Sequence, residues 1–122
     1  VDARKRNVVY FVNIMEWRIV MAKRIYKYPV PTIITAPVNK WLNARIQDNH
    51  LMVWAELDDD CKEMEWVLVY IGTGWEIDED DDLYKVMQFG TYCGSVEDGP
   101  YIWHVYACPR CVVEKEKELV MS

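Results

Sequence analysis

The sequence feature that most constrains the fold is the apolar run WVLVYIG, from Trp66 to Gly72, the longest in the chain with the character of a β-strand. Its β-branched and aromatic residues follow one another without a polar interruption, which is typical of a strand buried on both faces. A glycine-bracketed turn, Gly72 to Gly74, ends the run. Because such a strand needs neighbours on both sides, the run predicts the central strand of a sheet, and the flanking segments must supply its partners.

The flanking segments before this run are shorter and amphipathic. Residues 23–30 are predicted to form an edge strand, because two prolines keep the segment out of a helix. Residues 44–57 predict a hairpin closed by Asp48 and Asn49, both of which tolerate positive φ. The residues predicted to share one face of its second strand are Leu51, Val53, Ala55 and Leu57.

The C-terminal half continues the series of short strands. Asp78 to Asp82 predicts an acidic turn that leads into residues 84–89, and residues 94–100 predict a loop before a last strand, residues 101–107. Strands spaced about ten residues apart are typical of all-β domains. The chain is therefore predicted to be mostly β, an antiparallel β-sandwich or small open barrel of six to seven strands, with a short helix at the N and the C terminus.

The domain organisation follows from length. A chain of 122 residues is too short for two cores, so residues 21–107 are predicted to form a single β-rich domain. Residues 1–20 are predicted to be an N-terminal extension outside this domain, because Met21 opens a stretch with the character of a natural start. Residues 108–122 are predicted to be a short tail that carries the sequence CPRC.

Composition and charge argue against some classes of binding partner. With 52% hydrophobic and 13% aromatic residues, the chain has enough apolar area for a packed core. Residues 1–55 carry a net charge of +6 and residues 56–122 a net charge of −12. This asymmetry argues against direct nucleic-acid binding, which requires a basic face free of acidic competition. No apolar segment predicts a membrane partner, and four free thiols are expected in a reducing cytoplasm.

The order of short motifs resembles a known family. The motifs are IYKYPV, VWAELD, GTG, GT and WHVY, which lie within residues 23–107. In this order they resemble a family of small uncharacterised domains from bacterial and phage genomes, for which no chemistry is established. The resemblance implies a phage or prophage accessory protein in the cytoplasm of a bacterial host cell. Residues 1–20 and the CPRC tail lie outside the resemblance.

The CPRC sequence, Cys108 to Cys111, is the first candidate for chemistry. Its context is similar to the CPxC motif of glutaredoxins, but the eleven residues after Cys111 are too few for that fold. With His104 the two cysteines form H-x3-C-x2-C, a candidate zinc set whose fourth ligand would be Cys61 or Cys93. The spacing matches no established zinc pattern, so idle thiols are expected and no cofactor is predicted.

No catalytic set is predicted. Asp78, Asp80 and Asp82 have the alternate spacing of a calcium loop, but Leu83 and Phe89 stand where that loop requires glycine and glutamate. The chain has only two histidines and two serines, and neither serine lies in a nucleophile motif. The chain is therefore predicted not to be an enzyme.

The sequence instead predicts a binding domain. Tryptophan rings are candidate platforms for stacking a nucleobase, although core packing is expected for Trp54, and the glycine-bracketed turn is a candidate for holding phosphates on backbone N–H groups. The predicted function is non-enzymatic binding of a host protein or of a small nucleotide-like ligand, of the anti-defence type. The candidate ligand-binding residues are Trp41, Trp54, Gly72, Thr73, Gly74, Trp75 and Trp103.

Other functions remain open alternatives. The opposite charges of the two halves favour a homo-oligomer, and hence a structural or assembly component such as a virion protein. Twelve acidic residues between positions 56 and 82 would suit an acidic mimic of nucleic acid if they lined one face. A small zinc-binding domain built on the CPRC tail is the last alternative.

Overall fold

The computed structural model describes residues 22–114, so the extension and helix predicted over residues 1–20 lie outside the described residues. The described part contains seven strands, one helix of two turns and a helical segment over residues 110–114, and most of the helix predicted for the C terminus lies outside the described residues. In chain order, the elements are β1 (Lys23–Pro29), β2 (Thr32–Ala36), β3 (Val38–Gln47), β4 (His50–Asp58), β5 (Met64–Gly72), α1 (Asp82–Phe89), β6 (Thr91–Asp98) and β7 (Tyr101–Pro109).

The strands form two antiparallel sheets packed face to face. One sheet has the strand order β1-β4-β3, and the other has the order β2-β5-β7-β6. Strand β5, which contains the apolar run Trp66 to Gly72, lies between β2 and β7, as predicted for a central strand. Strand β1 lies at an edge of its sheet, also as predicted. The β-sandwich prediction is confirmed, and the sheets do not close into a barrel.

The core lies between the sheets and is built from alternate residues of each strand. Leu68 of β5, Val105 of β7 and Val53 of β4 pack in one cluster, and all three are fully buried. Since side chains alternate along a strand, one apolar residue in two is enough to build each inner face. The residues predicted to share one face of β4 all pack in the core: Leu51, Val53, Ala55 and Leu57.

The hairpin between β3 and β4 has the predicted turn. Asp48 and Asn49 have φ angles of 52° and 64°, and the flanking residues Gln47 and His50 pair across the ladder. Two consecutive residues with positive φ give the turn a twist that matches the twist of the strands, and Asp and Asn tolerate this conformation. Local sequence therefore determines this hairpin.

The outer face of the four-stranded sheet is covered by α1 and by residues 110–114. Val86 of α1 packs with Cys108 and Val113, and all three are buried. Arg110 donates a hydrogen bond from Nη1 to Oε2 of Glu65 at 3.0 Å, which links the C-terminal segment to β5. The central strand is thus covered on both faces, as its continuous apolar sequence requires.

Helix α1 corrects the prediction of a strand over residues 84–89. Its first turn is capped by Asp81, whose side chain accepts a hydrogen bond from the Leu83 N–H at 2.8 Å. An aspartate cap satisfies a backbone donor that the helix itself leaves unpaired. The predicted acidic turn is present, since the Asp81 N–H donates to the Asp78 carbonyl at 2.9 Å, but the turn leads into a helix and not into a strand. Among the described residues, no helix is long and apolar enough to cross a membrane.

Strand β6 corrects the predicted loop over residues 94–100. The strand continues through Gly94, where the ladder with β7 shifts by a bulge and the glycine φ is +127°. A side chain at Gly94 would lie 3.7 Å from Oδ1 of Asn43, so β6 runs close to β3 of the other sheet. Glycine permits this bulge because L-residues rarely adopt such φ angles. The strand was missed because Gly94 and Gly99 resemble loop residues.

Shortening one buried side chain of the central strand tests this description of the core. Leu68→Ala is expected to lower the free energy of unfolding by about 2–5 kcal/mol, because it removes a fully buried side chain and leaves a cavity. Leu42→Ala is the matched control, since Leu42 is 42% exposed and its truncation should cost no more than about 0.5 kcal/mol. Urea denaturation of the two variants measures both values, and equal losses would contradict the assignment of Leu68 to the core.

Candidate functional site

Predicted binding residues converge where β5 ends and β7 begins. Gly72 pairs with Trp103 in the β5–β7 ladder, so the turn that follows Gly72 lies beside the start of β7. A recess with a volume of about 560 Å³ opens at this place. We call it the aromatic recess, and its lining residues are Gly72, Thr73, Trp75, Pro100, Tyr101, Ile102 and Trp103.

The rings of the aromatic recess contact one another around Trp103. The ring centroids of Trp75 and Trp103 are 6.0 Å apart with an interplanar angle of 73°, and Tyr70 meets Trp103 at 5.0 Å and 70°. Tyr101 stacks on Trp103 at 5.6 Å and 20°. Trp75 is 49% exposed and Tyr101 is 59% exposed, so two of these rings present large apolar surfaces to solvent. Such surfaces are characteristic of binding sites.

Gly72 allows the Trp75 indole to lie directly on the backbone. A Cβ atom at Gly72 would lie 2.6 Å from Nε1 of Trp75 and 3.2 Å from Cζ3 of Trp103, so any side chain would displace a ring. Gly74 serves a different purpose, since its φ of +90° reverses the chain after Thr73. The two glycines therefore set the turn and the position of Trp75 separately.

Backbone hydrogen bonds hold the turn and occupy its donors. The Thr73 N–H donates to the Ile102 carbonyl at 3.2 Å, and the Trp75 N–H donates to the Gly72 carbonyl at 3.2 Å. An anion site on this turn needs backbone N–H groups that are free to donate to the ligand. One donor of the turn predicted to hold phosphates, the Thr73 N–H, is thus already paired within the protein, and so is the N–H of the adjacent Trp75.

His104 connects the turn to β6 through both of its ring nitrogens. Its Nε2 lies 2.7 Å from Oγ1 of Thr73, and its Nδ1 lies 3.0 Å from the hydroxyl of Tyr92. A neutral imidazole has one donor and one acceptor nitrogen, and each hydroxyl can take the complementary role. His104 therefore fixes the Thr73 side chain beside the aromatic recess.

The candidate zinc ligands are not brought together. His104 and Cys108 are four residues apart on β7, which corresponds to about 13 Å along a strand. Cys108 is buried against α1, and this burial, with a contribution from Cys111, raises the pKa of its thiol. Cys111 is exposed in the helical segment over residues 110–114. Within residues 22–114, no three His, Cys, Asp or Glu side chains are grouped as metal ligands.

Trp41 and Trp54 lie away from the aromatic recess. Trp41 packs against the core in a T-shaped contact with Trp66, with centroids 5.5 Å apart. Trp54 lies on the opposite face of β4 from Val53, where the guanidinium of Arg45 lies 4.8 Å from its ring. The core position expected for Trp54 thus belongs to Trp41.

Charge around the aromatic recess is negative. No lysine or arginine is among its lining residues. Asp98 accepts a hydrogen bond from Nε1 of Trp103 at 3.2 Å, and Glu97 and Glu76 directly adjoin Asp98 and Trp75 in sequence. A second depression of about 350 Å³ shares Trp75 with the recess and is otherwise lined by Ile77, Tyr84, Met87 and Gln88.

Sequence reasoning missed the tyrosines of the site. Tyr101 stands two residues before Trp103, and alternate residues of a strand share a face, so this spacing was a usable signal. Tyr70 and Tyr92 had no comparable signal. Their contacts with Trp103 and His104 depend on the pairing of distant segments and on the bulge in β6.

A side chain at Gly72 should disturb the aromatic recess in a specific way. Gly72→Ala is expected to displace the Trp75 indole, because the new Cβ overlaps it. The displacement will shift the indole N–H signals of Trp75 and Trp103 in NMR spectra and weaken their coupling in near-ultraviolet circular dichroism.

Gly74→Ala is the control for this prediction. Its Cβ would point into open space, but its φ of +90° is strained for alanine. The control should therefore cost about 1–3 kcal/mol of stability and leave the Trp103 signal in place. If both variants shift the Trp103 signal equally, close packing on Gly72 is not what positions Trp75.

The cysteines are predicted to hold no metal. Zinc ligation requires thiolates, whereas burial raises the pKa of Cys93 to about 12 and also raises that of Cys108. We expect no stoichiometric zinc in elemental analysis of the purified protein and no change in melting temperature with a chelator. Zinc that is present in the wild type and lost in a Cys108→Ser, Cys111→Ser variant would contradict this expectation.

Comparison with known proteins identifies the family to which the chain belongs. The family model of DUF7352, a domain of unknown function, matches residues 21–115. This match includes residues 23–107, which carry the motifs IYKYPV, VWAELD, GTG, GT and WHVY. No curated protein and no solved structure matches the chain. Since the family model covers most of the sequence, the chain belongs to the DUF7352 family.

Proposed function

We propose that this domain is a non-catalytic binding module whose aromatic recess holds a group presented by a protein partner. The observation that carries the proposal is the half-exposed pair Trp75 and Tyr101 on a hydrogen-bonded frame. Trp and Tyr dominate binding energies at protein interfaces because they bury a large area with few rotatable bonds. Exposed rings that are already held in place are suited to that role.

A protein partner fits the recess better than a nucleotide does. A nucleobase could stack on Trp75, but its phosphates would need positive charge or free backbone donors. The recess lining includes no lysine or arginine, and the N–H groups of Thr73 and Trp75 are paired. Asp98 and Glu76 add negative charge nearby and would repel a phosphate.

The pair Thr73 and His104 supports a structural role more than a catalytic one. Their 2.7 Å contact resembles that of a nucleophile with its base. In catalytic triads a carboxylate on the second nitrogen orients the imidazole and stabilises its charged form, whereas here that nitrogen meets the neutral hydroxyl of Tyr92. The chain is accordingly proposed not to be an enzyme.

The biological setting is part of the proposal. The resemblance of residues 23–107 to domains of bacterial and phage genomes supports a phage or prophage accessory protein. In this setting the module would act in the cytoplasm of a bacterial host cell by occupying a host protein, which is an anti-defence activity. The acidic residues beside its recess would select a positively charged group on that protein.

An assembly protein is the second candidate. Ile25 and Tyr26 lie on β1 at the edge of the three-stranded sheet, and both are exposed. An exposed edge strand with apolar side chains can pair with a second copy of the chain. An acidic mimic of nucleic acid has less support, because Asp59 bonds to Arg24 beside the three-stranded sheet, whereas Asp81 caps the helix on the outer face of the other sheet.

Loss of the exposed rings should abolish partner binding. We expect a Trp75→Ala, Tyr101→Ala variant to lose a host protein that the wild-type domain retains in a pull-down from bacterial lysate. The effect should be at least about tenfold, since an aromatic hot spot contributes about 2 kcal/mol or more.

Trp54→Ala is the matched control, because Trp54 is a surface tryptophan on the other sheet. It should retain the partner fully. Sedimentation of each variant separates partner binding from self-association. A partner that is retained equally by the wild type and the double variant would refute the proposed site.

A further inference from the structure

We infer that the aromatic recess recognises an alkylated ammonium cation, such as a trimethylammonium group. The inference rests on the proposed function, because it names the chemistry of the group that the same recess takes. Three observations carry it: the angle between the rings, the sign of the charge around them and the hydrogen bonds that the Gly72 and Ile102 carbonyls already accept.

The rings form a corner of the kind that a cation occupies. Trp75 and Trp103 meet at 73° with centroids 6.0 Å apart, and Tyr70 meets Trp103 at 70° on the same cluster. A T-shaped pair leaves a right-angled corner bounded by one face of each ring. Each aromatic face carries negative potential, and tryptophan binds cations most strongly among the aromatic residues. A cation on the exposed face of Trp75 would lie beside the Trp103 ring at this corner.

Charge near the corner has the sign that a cation requires. Asp98 accepts the hydrogen bond from the Trp103 indole at 3.2 Å, which directs negative charge toward that ring. Glu76 follows Trp75 directly in sequence, and no lysine or arginine lines the recess. A positive ligand is attracted by these carboxylates, whereas an anion is repelled.

At the backbone carbonyls of Gly72 and Ile102, hydrogen bonding favours an alkylated cation over a primary amine or a guanidinium. Lysine and arginine carry N–H donors that need acceptors when they leave water. The carbonyls of Gly72 and Ile102 already accept bonds from Trp75 and Thr73, and the Thr73 hydroxyl is held by His104. A quaternary ammonium group has no N–H donors, so it needs no hydrogen-bond acceptor when it leaves water. A recess of about 560 Å³ can admit such a group.

Trp54 gives an internal comparison. The Arg45 guanidinium lies 4.8 Å from the Trp54 ring, so that indole already has a cation from its own chain. In the described part of the chain, no such cation lies over Trp75, which is 49% exposed. Trp75 is thus open to an external cation in a way that Trp54 is not.

A neutral isostere provides the decisive experiment. Choline and 3,3-dimethylbutan-1-ol have nearly the same shape, but only choline is charged. Each is titrated into the ¹⁵N-labelled full chain while the indole N–H signals of Trp75 and Trp103 are followed by NMR. We expect saturable shifts with choline and at least about tenfold weaker binding of the alcohol, since the desolvated cation–π contact is the difference between them.

Two variants test whether choline binds at the aromatic recess. Trp75→Ala should abolish the choline response, and Asp98→Asn should weaken choline binding without changing that of the alcohol. Trp54→Ala is the control and should bind choline as the wild type does. The wild-type comparison of choline with the alcohol does not depend on whether any variant folds.

Further ligands distinguish the source of the cation. Tetramethylammonium tests the charged group alone, and a peptide with trimethyllysine is compared with the same peptide carrying unmodified lysine. Preference for the trimethylated peptide over choline assigns the group to a partner protein, whereas binding of choline and not of the peptide assigns it to a free small molecule. Either result supports the inference.

Other outcomes overturn it. Equal binding of choline and the alcohol would show an apolar site without preference for charge. If no cation binds, but the Trp75→Ala, Tyr101→Ala variant still loses its protein partner, the cation inference fails and the proposed function stands. If neither cation binding nor partner loss is seen, both fail.

Discussion

The pairing of β5 with β7 is the contact on which the rest of the structure depends. It brings Leu68 and Ala107 together on the inner face, where the core forms, and places Val69 beside Tyr106 on the outer face, where α1 packs. The same ladder ends with Gly72 opposite Trp103, which positions the aromatic recess. Core, helix docking and candidate site are therefore consequences of one register, and a shift by one residue would exchange the two faces and destroy all three.

The aromatic recess combines features that a purely structural cluster does not need. A buried aromatic cluster stabilises a fold by removing its rings from water, as Trp41 and Trp66 do in the core. Trp75 and Tyr101 instead remain about half exposed. Half-exposed rings contribute less to the free energy of folding than buried rings would. Such a loss of stability is typical of sites where function competes with stability.

The sequence predicted those parts of the fold that local physics decides. The apolar run of β5 and the turn at Asp48 and Asn49 are fixed by residues adjacent in the chain, and both are present. Helix α1 escaped prediction because eight residues are too few for apolar spacing alone to separate a helix from a strand, while the cap and the packing of Val86 on β7 decide for the helix. The candidate site was predicted in part: its turn and two tryptophans were identified, but its tyrosines and the bridging histidine depend on pairing between segments far apart in sequence.

The histidine bridge has a thermodynamic consequence. Because His104 joins Thr73 and Tyr92 through both ring nitrogens, the side chains of Thr73 and Tyr92 lose their rotational freedom when the domain folds. A ligand that arrives later need not order them, so the entropy of binding is less unfavourable than for a mobile loop. At these two side chains the proposed site would therefore select a ligand by shape and charge more than adapt to it.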